Sequence, residues 1–202
     1  MPSASELSGF VREVFDTSAR IKQAAGSALA DDIVRAAQTI AETYAKGGTV
    51  YTFGNGGSAS DAQHLVGELL GRYHRNRRPL AAVALSTDPS TLTCIANDFS
   101  YDEIFSRQVE GLARPQDVVV GFTTSGRSPN VIKGLQAARA AGARTIAFTR
   151  EGGEVVEVVD VAIKVPASYT PRIQECHLTS LHALCELIEL LVVDLPLREQ
   201  QS

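Results

Sequence analysis

The chain has 202 residues, of which 44% are hydrophobic and 21% are charged, together with 16 glycines and 8 prolines. This composition is typical of one sizeable globular α/β domain, and it excludes the low-complexity and disulfide-rich classes of protein. The formal net charge of −4 gives no electrostatic reason to expect nucleic acid as a partner.

Cysteine usage and the N-terminal sequence indicate the compartment. The three cysteines, Cys94, Cys176 and Cys185, form no C-x-x-C pair, and their odd number suits a reduced cytosolic protein without a disulfide framework. The N-terminus lacks the basic-then-apolar pattern of a secretion signal, and no apolar run approaches the roughly 20 residues of a membrane span. We therefore expect a cytoplasmic protein that acts neither on nucleic acid nor at a membrane.

Two N-terminal helices are predicted ahead of the first strand. Apolar side chains recur at helical spacing over residues 4–25 and again over residues 29–45, and Gly47 and Gly48 end the second helix. Because these helices precede the sheet, they are free to pack on it or on another subunit.

The stretch TVYTFGNGGSASDAQHLVGELLGR, residues 49–72, has the layout of an anion site. Residues 50–53 are predicted to form a buried strand, and the glycine-rich loop 54–57 leads into a helix that Ser58 caps, with Asp61 completing an S-x-x-D start signal. Free N–H groups and the helix dipole favour a phosphate at such a helix start. The glycine spacing fits neither the P-loop nor the dinucleotide motif, so neither a nucleoside triphosphate nor a dinucleotide is expected.

A polar loop follows this helix, and the basic patch there is most simply interpreted as solvent-exposed residues of the helix end and the loop. The patch consists of Arg72, Arg75, Arg77 and Arg78.

Four more strands alternate with helices along the rest of the chain. The strands are predicted at 82–85, 117–122, 145–148 and 161–165. The helices are predicted near 90–96, around 104–109, from Pro129 to Gly142, and from Thr170 to about Leu195, with a turn at 97–100. The alternation predicts a five-stranded parallel sheet with helices on both faces, whose ligands bind beyond the carboxyl ends of the strands.

Hydroxyl side chains cluster where the third strand meets its helix. Thr123, Thr124, Ser125 and Ser128 offer O–H donors beside the free N–H groups of a helix start, with Ser128 as cap and Pro129 at the first helical position. Such a loop can hold a phosphate without lysine or arginine, although one polar turn alone more often only caps a helix. Two loops of this kind at one sheet edge favour ligand binding.

His64 and Glu68 stand at i and i+4 in the helix predicted after the first strand, so their side chains project from one face of it. Alone, such a pair is more often a surface contact. Gln174 and His182 share a broad face of the last helix, because eight helical residues rotate by only about 80°. Converging, the four side chains would make an N/O site that zinc accepts. His177 lies off that face and is interpreted as packed or solvated.

Four stretches, taken together, resemble the phosphoheptose isomerases of the sugar isomerase (SIS) fold. They are GNGGSASDAQH with Glu68 and Arg72, ALSTDPSTLTCIAND, TTSGRSPNVI, and TPRIQECH followed by His182. The resemblance covers about residues 30–193. It implies a flavodoxin-like three-layer α/β domain spanning 1–202, a homotetramer with active sites at subunit boundaries, and conversion of sedoheptulose 7-phosphate to D-glycero-D-manno-heptose 7-phosphate in activated-heptose biosynthesis.

The resemblance also implies a set of substrate contacts. They are Asn55, Gly56, Gly57, Ser58, Glu68, Asn97, Asp98, Thr123, Thr124, Ser125, Ser128 and Gln174. Read without the resemblance, Asn97-Asp98 is equally an ordinary turn. The chain departs from the family at Thr123, which replaces a frequent serine and keeps the hydroxyl. Pro171 stands where some members have an acidic residue, which removes one sugar contact.

The zinc ligands implied by the resemblance are His64, Glu68, Gln174 and His182, with one ion per subunit. In the isomerisation, Glu68 is assigned as the base that takes a proton from carbon 1, and His182 as the acid that protonates an oxygen. Zinc would act as a Lewis acid on the adjacent oxygens.

Two other functions are compatible with parts of this pattern. A bacterial protein that binds the replication initiator DnaA has the same fold and nearly the same motifs, without being an enzyme. Isomerases of shorter phosphosugars, such as arabinose 5-phosphate, share the fold but carry extra domains for which this length leaves no room. The complete set of acid, base and ligands favours the heptose isomerase.

Overall fold

A computed structural model describes residues 1–192, which form a parallel sheet covered by helices on both faces. The strands are β1 Val50–Gly54, β2 Ala82–Ala84, β3 Val118–Phe122, β4 Arg144–Arg150 and β5 Val161–Val165. The helices are α1 Ala4–Ala45, α2 Gly57–Leu70, α3 Pro89–Asp98, α4 Ser106–Leu112, α5 Pro129–Ala140 and α6 Thr170–Val192, with 3-10 turns at Tyr101–Glu103 and Glu154–Val158. The strand order is β2-β1-β3-β4-β5, and all neighbours pair in parallel. The predicted five-stranded, flavodoxin-like α/β fold is confirmed.

Alternation along the strands divides the apolar core into two layers. On β3, Val118 and Val120 face the layer formed with α1, α2 and α6, whereas Val119 faces the layer formed with α3, α4 and α5. All five residues of β3 are buried, as expected for the central strand of a parallel sheet. Both α2 and α6 therefore lie on the same face of the sheet.

The N-terminal region is one helix of 42 residues, so the prediction of two helices was wrong. Gly26 lies in the gap between the two predicted helices, but one glycine costs a helix interior only about 1 kcal/mol. The neighbouring Ala25 and Leu29 are buried, at 4% and 1% exposure, and their packing offsets that cost. Ser3 and Glu6 form a capping box at the start.

The first part of α1 extends beyond the sheet with its apolar side chains exposed. Those side chains are Leu7, Phe10, Val11 and Phe15. Two contacts tie this part to α6: Arg172 Nη1 donates to the Val14 carbonyl, at 2.9 Å, and Ser18 Oγ donates to Glu175 Oε2, at 2.6 Å. No helix within residues 1–192 combines the length and apolar character needed to cross a membrane.

Several predicted boundaries differ from the observed ones. Asn97 and Asp98 form the last turn of α3 and not a separate turn, because helical hydrogen bonding continues to Phe99, whose N–H donates to the Ile95 carbonyl at 3.0 Å. At the other end, Asp88 caps the helix by accepting from the Ser90 N–H at 2.9 Å. The last predicted helix is observed from Thr170 to Val192. Its extension to Leu195 lies outside the described residues.

Candidate functional site

Three candidate metal ligands meet between α2 and α6. His64 Nε2 lies 3.0 Å from Glu68 Oε1 and 3.2 Å from His182 Nε2. One ligand atom from each residue lies within 4.8 Å of the other two. The two histidine rings meet edge to face, with centroids 5.0 Å apart. All three residues are partly buried.

The chemistry of this donor set fits a cation. His64 Nε2 carries either one proton or one lone pair, yet it faces both a carboxylate oxygen and a second imidazole nitrogen. If Nε2 carries the proton, that one proton must serve both contacts. If Nε2 carries the lone pair, it faces the carboxylate oxygen as acceptor against acceptor. Two imidazoles and a carboxylate aimed at one point are the donors that zinc prefers.

Gln174 lies about two helical turns before His182, against the start of α2. A Cβ at Gly57 would overlap the Gln174 amide nitrogen, so glycine leaves room for this side chain in its observed position. The structure therefore places Gln174 beside the glycine-rich loop. Its assignments as a fourth zinc ligand and as a substrate contact stay predictions.

The glycine-rich loop turns at Gly56, whose φ is +55°, and Gly56 rather than Ser58 occupies the N-cap of α2. The predicted Ser58 cap was wrong, because the left-handed glycine starts the helix two residues earlier. Ser58 is buried in the first turn, at 4% exposure. Bare backbone therefore forms this loop, as the prediction of an anion site requires.

Asn55 is fixed by a partner that the sequence analysis missed. Its side chain exchanges two hydrogen bonds with Asn130, the second residue of α5, at 2.8 and 2.9 Å. The hydroxyl of Tyr101 also donates to Asn55 Oδ1, at 3.1 Å. Asn130 is only 2% exposed, and its position in TTSGRSPNVI was the available signal. This amide pair joins the loop after β1 to the helix after β3.

The predicted hydroxyl cluster is gathered around Thr123, with Thr124 partly buried beside it. Thr123 Oγ1 lies 3.3 Å from Ser125 Oγ and 3.1 Å from Ser128 Oγ, and it accepts from the Gly126 N–H at 3.2 Å. Ser128 occupies the N-cap of α5 and Pro129 the first turn, as predicted, but the Ser128 hydroxyl makes no capping hydrogen bond. It faces the cluster instead.

Asn97 and Asp98 are both exposed at the end of α3. Asn97 Nδ2 donates to Asp98 Oδ1 at 2.9 Å, and Cys94 Sγ donates to Asp98 Oδ2 at 3.6 Å. Their bonds are to near neighbours on the same helix, and their role in binding substrate stays a prediction.

Asp61 is a half-buried acid one turn before His64 in α2, and it is not the helix-start signal that we predicted. Burial raises its pKa to about 6, and the charge of His64, one turn along α2, opposes that rise. Its Oδ2 is buried with no hydrogen-bond partner in the structure.

The arginine patch is only partly solvated. The Arg77 side chain is 6% exposed, and it donates to Glu189 Oε1, to the Leu69 carbonyl and to the Glu68 carbonyl, at 3.1, 2.9 and 2.7 Å. The interpretation of Arg77 as a solvated residue was wrong, because its carboxylate partner stands far away in the sequence. Arg72 and Arg75 are exposed, as expected.

Comparisons with known proteins agree on one group of relatives. The family model of the SIS domain matches residues 13–150. The phosphoheptose isomerase of Aquifex aeolicus is 50% identical over 185 residues, which are 91% of this chain and 97% of that protein. The phosphoheptose isomerase of Paramagnetospirillum magneticum is 52% identical over 165 residues, which are 81% of this chain and 86% of that protein.

Solved structures give the same result. A phosphoheptose isomerase from Neisseria gonorrhoeae superposes with a TM-score of 0.86 and 42% identity, covering 91% of this chain and 98% of that one. A phosphoheptose isomerase from Francisella tularensis superposes with a TM-score of 0.86 and 31% identity, covering 94% of this chain and all of that one, 100%.

Proposed function

The chain belongs to the phosphoheptose isomerase family of SIS-domain enzymes, and from that premise we propose that it converts sedoheptulose 7-phosphate to D-glycero-D-manno-heptose 7-phosphate. It is an isomerase, and its relatives favour this function over that of an initiator-binding protein. The observation that supports the proposal most is the approach of Glu68 and His182, from two distant parts of the sequence, in one cluster. We place the reaction in activated-heptose biosynthesis.

The hydroxyl cluster is proposed to bind the phosphate of the sugar. Thr123, Ser125 and Ser128 lie within hydrogen-bond distance of one another at the start of α5, where the helix dipole favours negative charge. Thr124 is proposed as a further contact of the same phosphate. The bare backbone of Gly56 and Gly57, with Asn55 and Ser58, would face the sugar.

The reaction moves two hydrogens and leaves the composition of the sugar unchanged. Glu68 takes a proton from carbon 1 and returns one to carbon 2, while a proton passes from the oxygen on carbon 1 to the oxygen on carbon 2. We propose His182 as the acid that supplies the oxygen-bound proton. General acid–base catalysis by positioned side chains of this kind contributes on the order of 10²–10⁴-fold.

We propose that His64, Glu68 and His182 hold one zinc ion per subunit, with Gln174 as the fourth ligand. The convergence of the first three side chains supports this assignment. When bound, zinc supplies a Lewis acid for the two substrate oxygens. Glu68 bound to a metal is a weaker base, so its two proposed roles belong to different stages of turnover.

We propose a homotetramer, the assembly that the family resemblance implies, and the apolar surface of α1 supports a subunit interface. This surface comprises the exposed side chains near the start of α1 and an apolar groove of about 500 Å³ between α1 and α6. The groove is lined in part by Ala30, Ile33, Val34, Ala183, Leu187 and Leu190. Contiguous apolar surface of this kind marks an interface between proteins. Light scattering coupled to size exclusion measures the subunit number directly.

The substrate proposal is tested by NMR assays of the purified protein with several phosphosugars, with and without a chelator. We expect turnover of sedoheptulose 7-phosphate and none of arabinose 5-phosphate, with a loss of rate when chelator is present. A protein that is inert on the heptose phosphate in both conditions would rule the proposal out.

A further inference from the structure

A buried carboxylate that no step of the proposed reaction uses lies below the His64–Glu68–His182 cluster. Glu189 is 2% exposed and stands about two helical turns after His182, on the same face of α6. A buried carboxylate is retained only where its charge is neutralised and hydrogen-bonded. Its partners therefore indicate what it is for.

Four donors surround this carboxylate. Glu189 Oε1 accepts from the Tyr73 N–H, at 3.0 Å, and from Arg77 Nε, at 3.1 Å. Glu189 Oε2 accepts from the N–H groups of His74 and Arg75, at 3.0 and 2.7 Å. Burial alone raises the pKa of Glu189, but the three backbone donors and Arg77 outweigh it and hold that pKa below its usual value. Glu189 thus fixes the backbone of the loop 73–77.

The same arginine also holds the end of α2. Its two terminal nitrogens donate to the carbonyls of Leu69 and Glu68, at 2.9 and 2.7 Å. Arg77 and Glu189 therefore connect α2, which carries His64 and Glu68, to α6, which carries His182. The loop between them cannot move without breaking charged hydrogen bonds, which are about twice as strong as neutral ones.

The fixed loop places one aromatic ring against the cluster. The Tyr73 ring stacks on the imidazole of His182, with centroids 5.6 Å apart and planes inclined by 30°. His64 meets the same imidazole at its Nε2. Rotation of an imidazole about its outer side-chain torsion is broad and weakly restrained, so a neighbouring group must set the plane of the ring.

We propose that Tyr73, fixed by Glu189 and Arg77, is a positioning residue that sets the ring plane of His182 so that Nε2 faces His64 and Glu68. The aromatic face, and not the hydroxyl, performs this role. The consequence for zinc affinity and turnover rests on the proposed function, whereas the orientation of His182 does not.

The direct test is NMR of ¹⁵N-histidine-labelled, metal-free protein, compared between Tyr73→Leu and Tyr73→Phe. The chain has 4 histidines, so the spectrum is readable, and the His182 signals are assigned by their loss in His182→Gln. We expect Tyr73→Leu to shift or broaden the His182 signals while those of buried His177 stay in place. Tyr73→Phe should retain the wild-type spectrum, because it keeps the ring.

A second measurement follows Co²⁺ as a spectroscopic substitute for zinc. Loss of a residue that orients a metal ligand typically lowers metal affinity on the order of 10–100-fold. We expect Tyr73→Leu and Glu189→Gln to weaken Co²⁺ binding by about tenfold or more and to change its visible spectrum. Glu110→Gln, at an exposed position on α4 over the other face of the sheet, is the control and should bind as the wild type does.

Two results would overturn the proposal. One is a folded Tyr73→Leu variant with wild-type His182 signals. The other is a Tyr73→Phe variant that disturbs His182 as much as Tyr73→Leu, since that would assign the role to the hydroxyl. Failure of the wild type to isomerise the heptose phosphate is a separate result. It would rule out the proposed function, whereas the orientation of His182 by Tyr73 would still be decided by the NMR spectra.

Discussion

The loop after β1 and the loop after β3 occupy the same edge of the sheet but are built differently. The first, around Gly56, is bare backbone, and the helix that follows carries His64 and Glu68. The second, around Thr123, is lined by hydroxyls, and its helix contributes Asn130 to fix the first loop. The difference matches the two tasks that we propose: the first loop precedes the helix with the proposed proton-transfer groups and metal ligands, and the second carries the proposed phosphate donors. We call these the reacting end and the phosphate end.

The largest expected effect is at the reacting end. Replacing Glu68 by Gln or His182 by Ala should lower turnover of sedoheptulose 7-phosphate by at least about 10²–10⁴-fold, because each change removes a proposed proton-transfer group. Circular dichroism and the melting temperature should stay close to wild type, since both side chains are only partly buried. Glu110→Gln, on α4, serves as the exposed control. A Glu68→Gln enzyme that retains wild-type turnover would remove Glu68 from the role of base.

A buried histidine on α6 should make the stability of the fold depend on pH. His177 is fully buried, and its Nε2–H donates to the Thr149 carbonyl at 3.1 Å. Burial lowers its pKa to about 4, and that hydrogen bond only partly opposes the shift. Because the unfolded chain binds the proton more readily, His177 stabilises the fold fully above about pH 6.5, and this stability is lost as the pH falls toward 4.

The test compares wild type with His177→Gln, which keeps an amide donor but cannot titrate. We expect the difference between their free energies of unfolding to change by about 3 kcal/mol between pH 7 and pH 4, in the direction that favours the variant at low pH. The raised pKa of Asp61 acts in the opposite direction, because its charged form is penalised as the pH rises toward 6. That contribution is common to both proteins and cancels in the difference. Parallel free-energy curves from pH 4 to 7 would contradict the assignment.

The phosphate end should affect binding more than chemistry. Replacing Ser125 or Ser128 by Ala removes one proposed phosphate donor, and a hydrogen bond to a charged group is worth about 1.5–3 kcal/mol. We expect the KM for the sugar phosphate to rise by about tenfold or more, with a smaller change in kcat. Inorganic phosphate should also become a weaker competitive inhibitor. An unchanged KM in both variants would move the phosphate site elsewhere.

The smallest change in stability is expected where the reacting end meets α6. Gly57→Ala places a methyl group against the far end of the Gln174 side chain. Because that side chain can move aside, the free energy of unfolding should change by only about 1 kcal/mol. Zinc affinity should nevertheless fall, because Gln174 is displaced. Gly67→Ala is the matched control in the same helix, since a Cβ there meets nothing within 4 Å. Equal zinc affinity in all three proteins would exclude Gln174 as a ligand.

Features set by local sequence were predictable. The strand–helix alternation, the glycine-rich loop and the hydroxyl cluster each follow from residues within a few positions of one another. The pairing of His64 and Glu68 with His182 was expected from helix periodicity together with a family resemblance, and the structure brings those three side chains together.

Features set by distant partners were not predictable. Arg77 was assigned to solvent, because nothing near it in the sequence reveals the carboxylate of Glu189. Asn130 was overlooked for the same reason, since two strands and three α-helices separate it from its partner Asn55. The continuity of α1 through residues 26–28 was missed because the packing of the neighbouring Ala25 and Leu29 could not be seen in the sequence.

The reciprocal amide pair of Asn55 and Asn130 makes two positions evolve as one. Replacing Asn55 alone leaves the buried amide donor and acceptor of Asn130 without these partners, and leaving such groups unpaired costs about 1–3 kcal/mol. Replacing Asn130 alone leaves Asn55 Nδ2 without this acceptor, while Asn55 Oδ1 keeps its bond from Tyr101. A lineage that alters one of these residues is therefore under selection to alter the second. In a mutagenised library selected for growth, we expect tolerated changes at 55 and 130 to arrive as doubles and single changes to be purged.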